Sequence, residues 1–264
     1  MAEWSGTGRA YAESFARLCA GAVPPLLDAV ESVRGAPAGG RLLDVGTGPG
    51  TVAGAASARG YAVVGVDPEG SMLAVARRRH PDVHFSAAAL PDLPFEDGWF
   101  DVVTASFVLG HVADLQAAVA ALARVCTGDG VVALTSWPSG RSPLRPLWEE
   151  VLARGGAVGY PPDSGPRGGG AERSAEGLAD LLADAGLGRI RTGTLTWTFE
   201  IDPDDLWRGV AGGVATIGGI HRSLDDEGRR ALRAVYDEVA GTRADSDGML
   251  RVPHSAILAV GTRR

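Results

Sequence analysis

The sequence predicts an α/β protein, a parallel sheet covered by helices on both faces. From residue 41 to 137, short apolar runs of strand length alternate with stretches of helical periodicity, a pattern that requires right-handed crossovers between parallel strands. The first such run ends in a glycine-rich turn, LLDVGTGPG, where a strand passes into a helix. With 264 residues, 45% of them apolar, 22% charged and 6% aromatic, the chain can bury the core of one large domain or two small ones.

Residues 9–33 place Tyr11, Phe15, Leu18, Cys19 and Ala22 at helical spacing, then Leu26, Leu27, Val30 and Val33 after a break at Pro24 and Pro25, predicting two amphipathic helices. A GAPAGG linker follows. Strands are expected over 41–45, 62–66, 83–87, 100–106 and 131–137, and helices over 51–59, 71–80 and 115–126. The pattern then changes. Residues 139–172 are rich in Pro and Gly around one short helix near 144–153 and are expected to form a mobile lid. A helix over 174–185 is closed by Gly186, strands are expected over 189–201 and 250–262, and helices over 204–213 and 225–240.

Composition removes several chemistries. All 25 basic residues are Arg, and there is neither Lys nor Asn. That excludes a pyridoxal Schiff base, a phosphate-gripping P-loop lysine, a kinase-type lysine, an N-glycosylation acceptor and a Cys-His-Asn protease site. A formal net charge of −7 disfavours nucleic acid and anionic membranes. Cys19 and Cys126 lie in stretches that read as helical, far from any metal-ligand spacing, so buried free thiols are expected and no metal site. The N-terminal residues carry no apolar signal region and no stretch has membrane-spanning length, which suggests a cytoplasmic protein.

In a sheet of this kind ligands bind beyond the carboxyl ends of the strands, where glycines let them approach the main chain. The glycines Gly46, Gly48 and Gly50 run G-x-G-x-G, and the position a dinucleotide fingerprint would give its third glycine holds Thr51. Asp44 beside that turn would repel a pyrophosphate and suits an ammonium group. Asp67, 21 residues after Gly46, has the spacing of a carboxylate that accepts ribose hydroxyls. A ligand with a sugar, a cationic end and no phosphate is implied.

These residues resemble the class I S-adenosylmethionine-dependent methyltransferases, specifically the small-molecule branch similar to the ubiquinone/menaquinone methyltransferases. The resemblance runs through LLDVGTGPG, VVGVD, LPFEDGWFDVVTASFVLGHV and ALTSW. It implies a Rossmann-like, seven-stranded, mostly parallel sheet with a C-terminal antiparallel hairpin, helices on both faces and helical lid elements. It also implies S-adenosylmethionine as cofactor: Asp44, Gly46, Thr47 and Gly48 at its methionyl end with Asp44 near the ammonium, Asp67 and Pro68 at the ribose, Met72 against adenine, and Ser106 and Tyr11 closing the site. Where the family has Gly-Asp-Ala before LPF, this chain has Ala88, Ala89 and Leu90, so the usual carboxylate at the adenine amino group is absent; either the main chain at Ala89 and Leu90 makes that contact or Asp92 substitutes from a shifted loop.

Acceptor contacts are expected from Phe15, His111, Trp137, Trp148, Tyr160 and Trp207, with His111 as a candidate general base. Trp99 and Trp197 are expected to pack in the core. The acidic residues 202–205 and 225–226 read as helix caps. The expected organisation is an N-terminal helical cap over 1–38, a cofactor-binding core over 39–138, the lid over 139–172, and the rest of the core over 173–264 with a helical insertion at 203–245. The implied activity is methyl transfer to O, N or C of a small molecule by a monomer or homodimer. The alternatives are a cofactor-binding protein that transfers no methyl and a nicotinamide-dependent oxidoreductase.

Overall fold

The computed structural model describes residues 4–35, 39–156 and 170–264. The chain divides into two compact units, one of residues 22–139, 165–196 and 255–264, the other of residues 1–21, 140–164 and 197–254.

The first unit holds the sheet. Its strands are β1 (Arg41–Val45), β2 (Ala62–Val66), β3 (His84–Ser86), β4 (Phe100–Ser106), β5 (Cys126–Ser136), β6 (Leu187–Ile201) and β7 (Leu250–Arg263), in the order β3-β2-β1-β4-β5-β7-β6; β6 and β7 each continue into the sequence of the second unit. Strands β1 to β5 are parallel neighbours, and β7 runs antiparallel to β5, with Val131 opposite Thr262 and Ser136 opposite Ile257. The seven-stranded mixed sheet matches the expected fold class.

Because side chains alternate along a strand, each face of the sheet collects its own core. Leu42, Val102, Val131, Ala133 and Val260 pack with Val23, Leu26, Leu27 and Val30 of α3 (Val23–Arg34) and with Val52 and Ala56 of α4 (Thr51–Ala58). On the other face Leu43, Val103, Ala105, Val132 and Leu134 pack with Leu115, Val119 and Leu122 of α6 (Leu115–Val125) and Leu178 and Leu182 of α8 (Ala175–Asp184). Each such aliphatic side chain contributes roughly 1.5–3 kcal/mol on burial. Helix α5 (Gly70–Arg79) adds Leu73 and Ala76 to a smaller cluster with Phe85 of β3.

The second unit is helical: α1 (Gly8–Glu13), α2 (Phe15–Ala20), α7 (Arg145–Arg154), α9 (Pro203–Ala211), α10 (Ala215–Ser223) and α11 (Asp226–Arg243). Its centre is aromatic. Tyr236 is stacked on Trp148, with centroids 5.6 Å apart, and lies 4.8 Å from the Trp207 ring, while its hydroxyl donates to the Pro203 carbonyl at 2.7 Å. Arginines tie the helix surfaces together through Arg243–Glu150, Arg154–Glu238 and Arg233–Asp204 pairs.

Several local expectations are corrected. Pro24 and Pro25 do not break a helix; they occupy the first turn of α3, where a missing N–H costs nothing. The N-terminal stretch divides at Gly21–Ala22, just before α3, and also at Ser14, whose hydroxyl donates to the Ala10 carbonyl at 2.6 Å. Cys126 is not helical: β5 begins there, pairs with Phe100, and shifts register before resuming at Val131. Helix α10 was not expected. Trp99 is not core; it is 46% exposed, with the Arg41 guanidinium 4.6 Å above its ring. Within the stretch expected to be a lid, α7 and the 3-10 turn Ala171–Arg173 are ordered elements, while residues 157–169, with Tyr160, lie outside the described residues.

Candidate active site

Strand β1 delivers Asp44 to its carboxyl end, 1% exposed. The Thr47 hydroxyl donates to one carboxyl oxygen at 2.7 Å and the Thr104 hydroxyl, from neighbouring β4, to the other at 2.9 Å. Burial is the largest influence on this group and pushes it up to about 6, against the lowering effect of the two hydroxyls. No cation pairs with it among the described residues.

The chain after β1 turns through Gly46 (φ +67), Gly48 (φ +54) and Gly50 (φ +84), a left-handed region that only glycine enters without strain. Gly46 has a second reason to lack a side chain: a Cβ would lie 2.3 Å from Cγ2 of Val108. The turn is fixed on β2 by the Thr47 N–H, which donates to the Val66 carbonyl at 2.9 Å.

Asp67 follows β2 and is 8% exposed. It accepts from the Gly48 N–H at 2.9 Å and the Glu69 N–H at 2.8 Å. Burial raises its pKa and the two main-chain donors oppose that rise. One N–H on each oxygen leaves lone pairs for further donors. Met72 of α5 is buried nearby in sequence, Pro68 is exposed, and Ala89 and Leu90 are half-buried in the loop after β3.

The two carboxylates therefore share one glycine turn, Asp44 through Thr47 and Asp67 through Gly48. Buried anions without cationic partners are costly, and these two fit a ligand that brings an ammonium to one and hydroxyl donors to the other. S-adenosylmethionine has both. Among the described residues no cluster of His, Cys, Asp or Glu could hold a metal ion.

Beyond β4 and β5 lie residues expected on the acceptor side. The Ser106 hydroxyl is paired with that of Thr135 at 2.7 Å, at the end of β4. Phe107 follows with φ +58, an uncommon conformation for a residue with a side chain. Its ring stacks on Trp137, centroids 4.0 Å apart and planes at 22°. His111 ends the 3-10 turn Leu109–His111 and is exposed. The helical unit holds the remaining expectations. Tyr11 meets Trp4 edge to face and its hydroxyl lies 3.4 Å from the Cys19 sulfur, while Phe15 is half-buried. Trp148 and Trp207 are buried against Tyr236. Thr104 was missed, although a threonine inside the apolar run FDVVTAS was a signal that its hydroxyl had a buried partner.

The family description "Methyltransferase domain" matches residues 43–134, which contain both carboxylates and the glycine turn. Over that segment the chain is similar to methyltransferase domains. Similar proteins include the demethylmenaquinone methyltransferase of Renibacterium salmoninarum, 41% identical over 122 residues, covering 46% of this chain and 51% of that one. Another is the malonyl-[acyl-carrier protein] O-methyltransferase of Enterobacter lignolyticus, 32% identical over 112 residues, covering 42% and 45%. The chain spans about half the length of the curated relatives it matches. In fold, the chain is similar to the YcgJ protein from Bacillus subtilis, with a TM-score of 0.56 at 22% identity over 90% of this chain and 97% of that one. A phosphoethanolamine N-methyltransferase 2 of Haemonchus contortus, solved with S-adenosyl-L-methionine, gives 0.53 at 18% identity over 91% and 53%.

Proposed function

We propose that this chain is an S-adenosylmethionine-dependent methyltransferase acting on O, N or C of a small-molecule acceptor. The observation that carries the reading is the pair of buried carboxylates on one glycine turn, Asp44 at 1% and Asp67 at 8% exposure. Asp44 takes the ammonium of the methionyl end, Gly46, Thr47 and Gly48 lie along it, and Asp67 accepts the ribose hydroxyls with Pro68 beside it. Met72, Ala89 and Leu90 border the adenine, and Ser106 the methyl-bearing end. When bound, the cofactor supplies an electrophilic methyl group on a sulfonium. The protein then has to orient an acceptor in line, exclude water and, for a hydroxyl or ammonium acceptor, remove a proton. His111 is proposed for the proton and Trp137 for the acceptor wall. Tyr11 is proposed at the cofactor on family resemblance, Phe15 at the acceptor from its place on the N-terminal helices, and Trp148, Tyr160 and Trp207 at the acceptor from their places in the segments expected to form a lid.

Similarity to relatives named for different acceptors supports a small molecule without choosing one, since the matched segment ends at residue 134, before Trp137. We further propose a monomer or homodimer in the cytoplasm, acting without nucleic acid or membrane; no described helix is long and apolar enough to cross a bilayer. Asp67→Ala tests the cofactor assignment. It removes charge-assisted hydrogen bonds worth roughly 1.5–3 kcal/mol each, so calorimetry should show at least about tenfold weaker binding of S-adenosylmethionine. Unchanged affinity in a folded variant would sink the ribose assignment.

A further inference from the structure

The 3-10 turn Ala171–Arg173 carries a side chain for which the described residues provide no partner. Glu172 is 0% exposed, and neither carboxyl oxygen has a hydrogen-bond partner among the described residues. A buried carboxyl left unbonded is destabilising whether ionised or neutral, so the surrounding structure must hold it in place for another reason.

The turn is firmly held. The N–H and hydroxyl of Ser139 donate to the Arg173 carbonyl at 3.0 and 3.2 Å, and the Arg173 guanidinium donates to the Pro138 carbonyl at 3.2 Å. Gly177 of α8 lies so close that a Cβ there would sit 2.2 Å from the Ala171 carbonyl oxygen. Pro138 and Ser139 directly follow Trp137, and the turn also packs against Leu109–His111 after β4. Glu172 is thereby fixed at the carboxyl ends of β4 and β5, where an open α/β sheet receives its ligands. Asp44 and Asp67, by contrast, follow β1 and β2.

We infer that Glu172 is an acceptor-binding carboxylate: it accepts the hydrogen of an acidic O–H or a protonated N–H on an aromatic acceptor whose ring packs against the half-buried Phe107–Trp137 stack. The inference rests on the methyltransferase reading for the identity of the ligand as an acceptor; the missing donor is an observation independent of it. In a surrounding closed to solvent such a bond is stronger than in water, so it discriminates sharply against a ligand that lacks the hydrogen.

The test is a thermal-shift screen of the full chain, with S-adenosylhomocysteine present, against one- and two-ring phenols paired with their methyl ethers and benzylamines paired with their trimethylammonium counterparts. Hits should carry the donor hydrogen and bind at least about tenfold more tightly than their blocked partners. Glu172→Leu should erase that preference, leave S-adenosylhomocysteine affinity unchanged and melt no lower than the wild type. Glu172→Gln, which keeps an acceptor oxygen, should retain part of it. The inference is overturned if no pair shows the preference, if Glu172→Leu preserves it, or if both variants melt well below the wild type, which would make the carboxyl structural. Failure of the wild type to bind S-adenosylhomocysteine would overturn the methyltransferase reading instead, and the donor preference would still be read in the same screen without it.

Discussion

Burial makes a carboxylate resist ionisation, and it pushes Asp44 up to about 6 against the lowering effect of the Thr47 and Thr104 hydroxyls. Its folded pKa lies above its unfolded value of 3.8, so its contribution to stability is present below about pH 4 and lost as pH rises through about 6. The difference of about two units corresponds to roughly 3 kcal/mol. A cationic ligand has the opposite preference, because it favours the ionised form. The thermal shift produced by S-adenosylmethionine should therefore grow between about pH 5 and 7, and Asp44→Asn should flatten that growth while raising the melting temperature of the free protein at pH 7. Thr104→Val removes one of the hydroxyls at Asp44 and should push the same transition to higher pH. At His111 the measurement is turnover across pH for His111→Ala and His111→Gln. If the imidazole, which ordinarily titrates near ~6.5, is the base, both variants should lose at least a hundredfold, within the range of about 10²–10⁴ for general-base work, with cofactor affinity intact; near-full turnover by the Gln variant would leave His111 a positioning residue.

Among the elements, the helix starts were legible in the sequence. Asp202 accepts from the Asp204 and Asp205 N–H groups and Asp225 from that of Gly228 at 2.8 Å, as acidic residues at the start of an apolar periodic stretch predict. Asp225→Ala should cost about 1 kcal/mol, or a melting temperature lower by roughly 2–4 °C in a calorimetric scan. Helix α10 was illegible because its sequence, ATIGGIHRS, joins two glycines to β-branched residues, a composition with poor helix propensity. Packing supplies the missing reason: a Cβ at Gly218 would lie 2.4 Å from the Gly213 main chain, so the glycine permits a close approach that any other residue would prevent. The start of β5 was hidden similarly. TGDG reads as a turn, and the strand runs through it only with Asp129 at φ +60 and a register shift against β4.

At the scale of the molecule, the residues proposed for the methionyl and ribose ends of the cofactor, together with Met72, lie within one short span, Asp44 to Met72, where a turn and two strand ends make their grouping legible in the sequence. The residues proposed for the acceptor follow two different strands, Phe107 and His111 after β4 and Trp137 and Glu172 after β5; the places of His111 and Trp137 after those strands were legible in the sequence, whereas no spacing announced Glu172. Nor did any local pattern announce that residues 1–21 are grouped with 140–164 and 197–254. The sheet's opposite edge carries Trp99, exposed beneath Arg41 at the amino end of β4. Seven residues of β4 at about 3.3 Å each put it about 23 Å from the strand's ligand-facing end. Its fluorescence should be quenched by acrylamide to the same extent with and without S-adenosylmethionine, since collisional quenching senses only the immediate surroundings of the indole. Trp99→Phe should lower the quenchable emission while preserving any ligand-induced spectral change, which makes Trp99 an internal optical reference for the tryptophans proposed near the ligand.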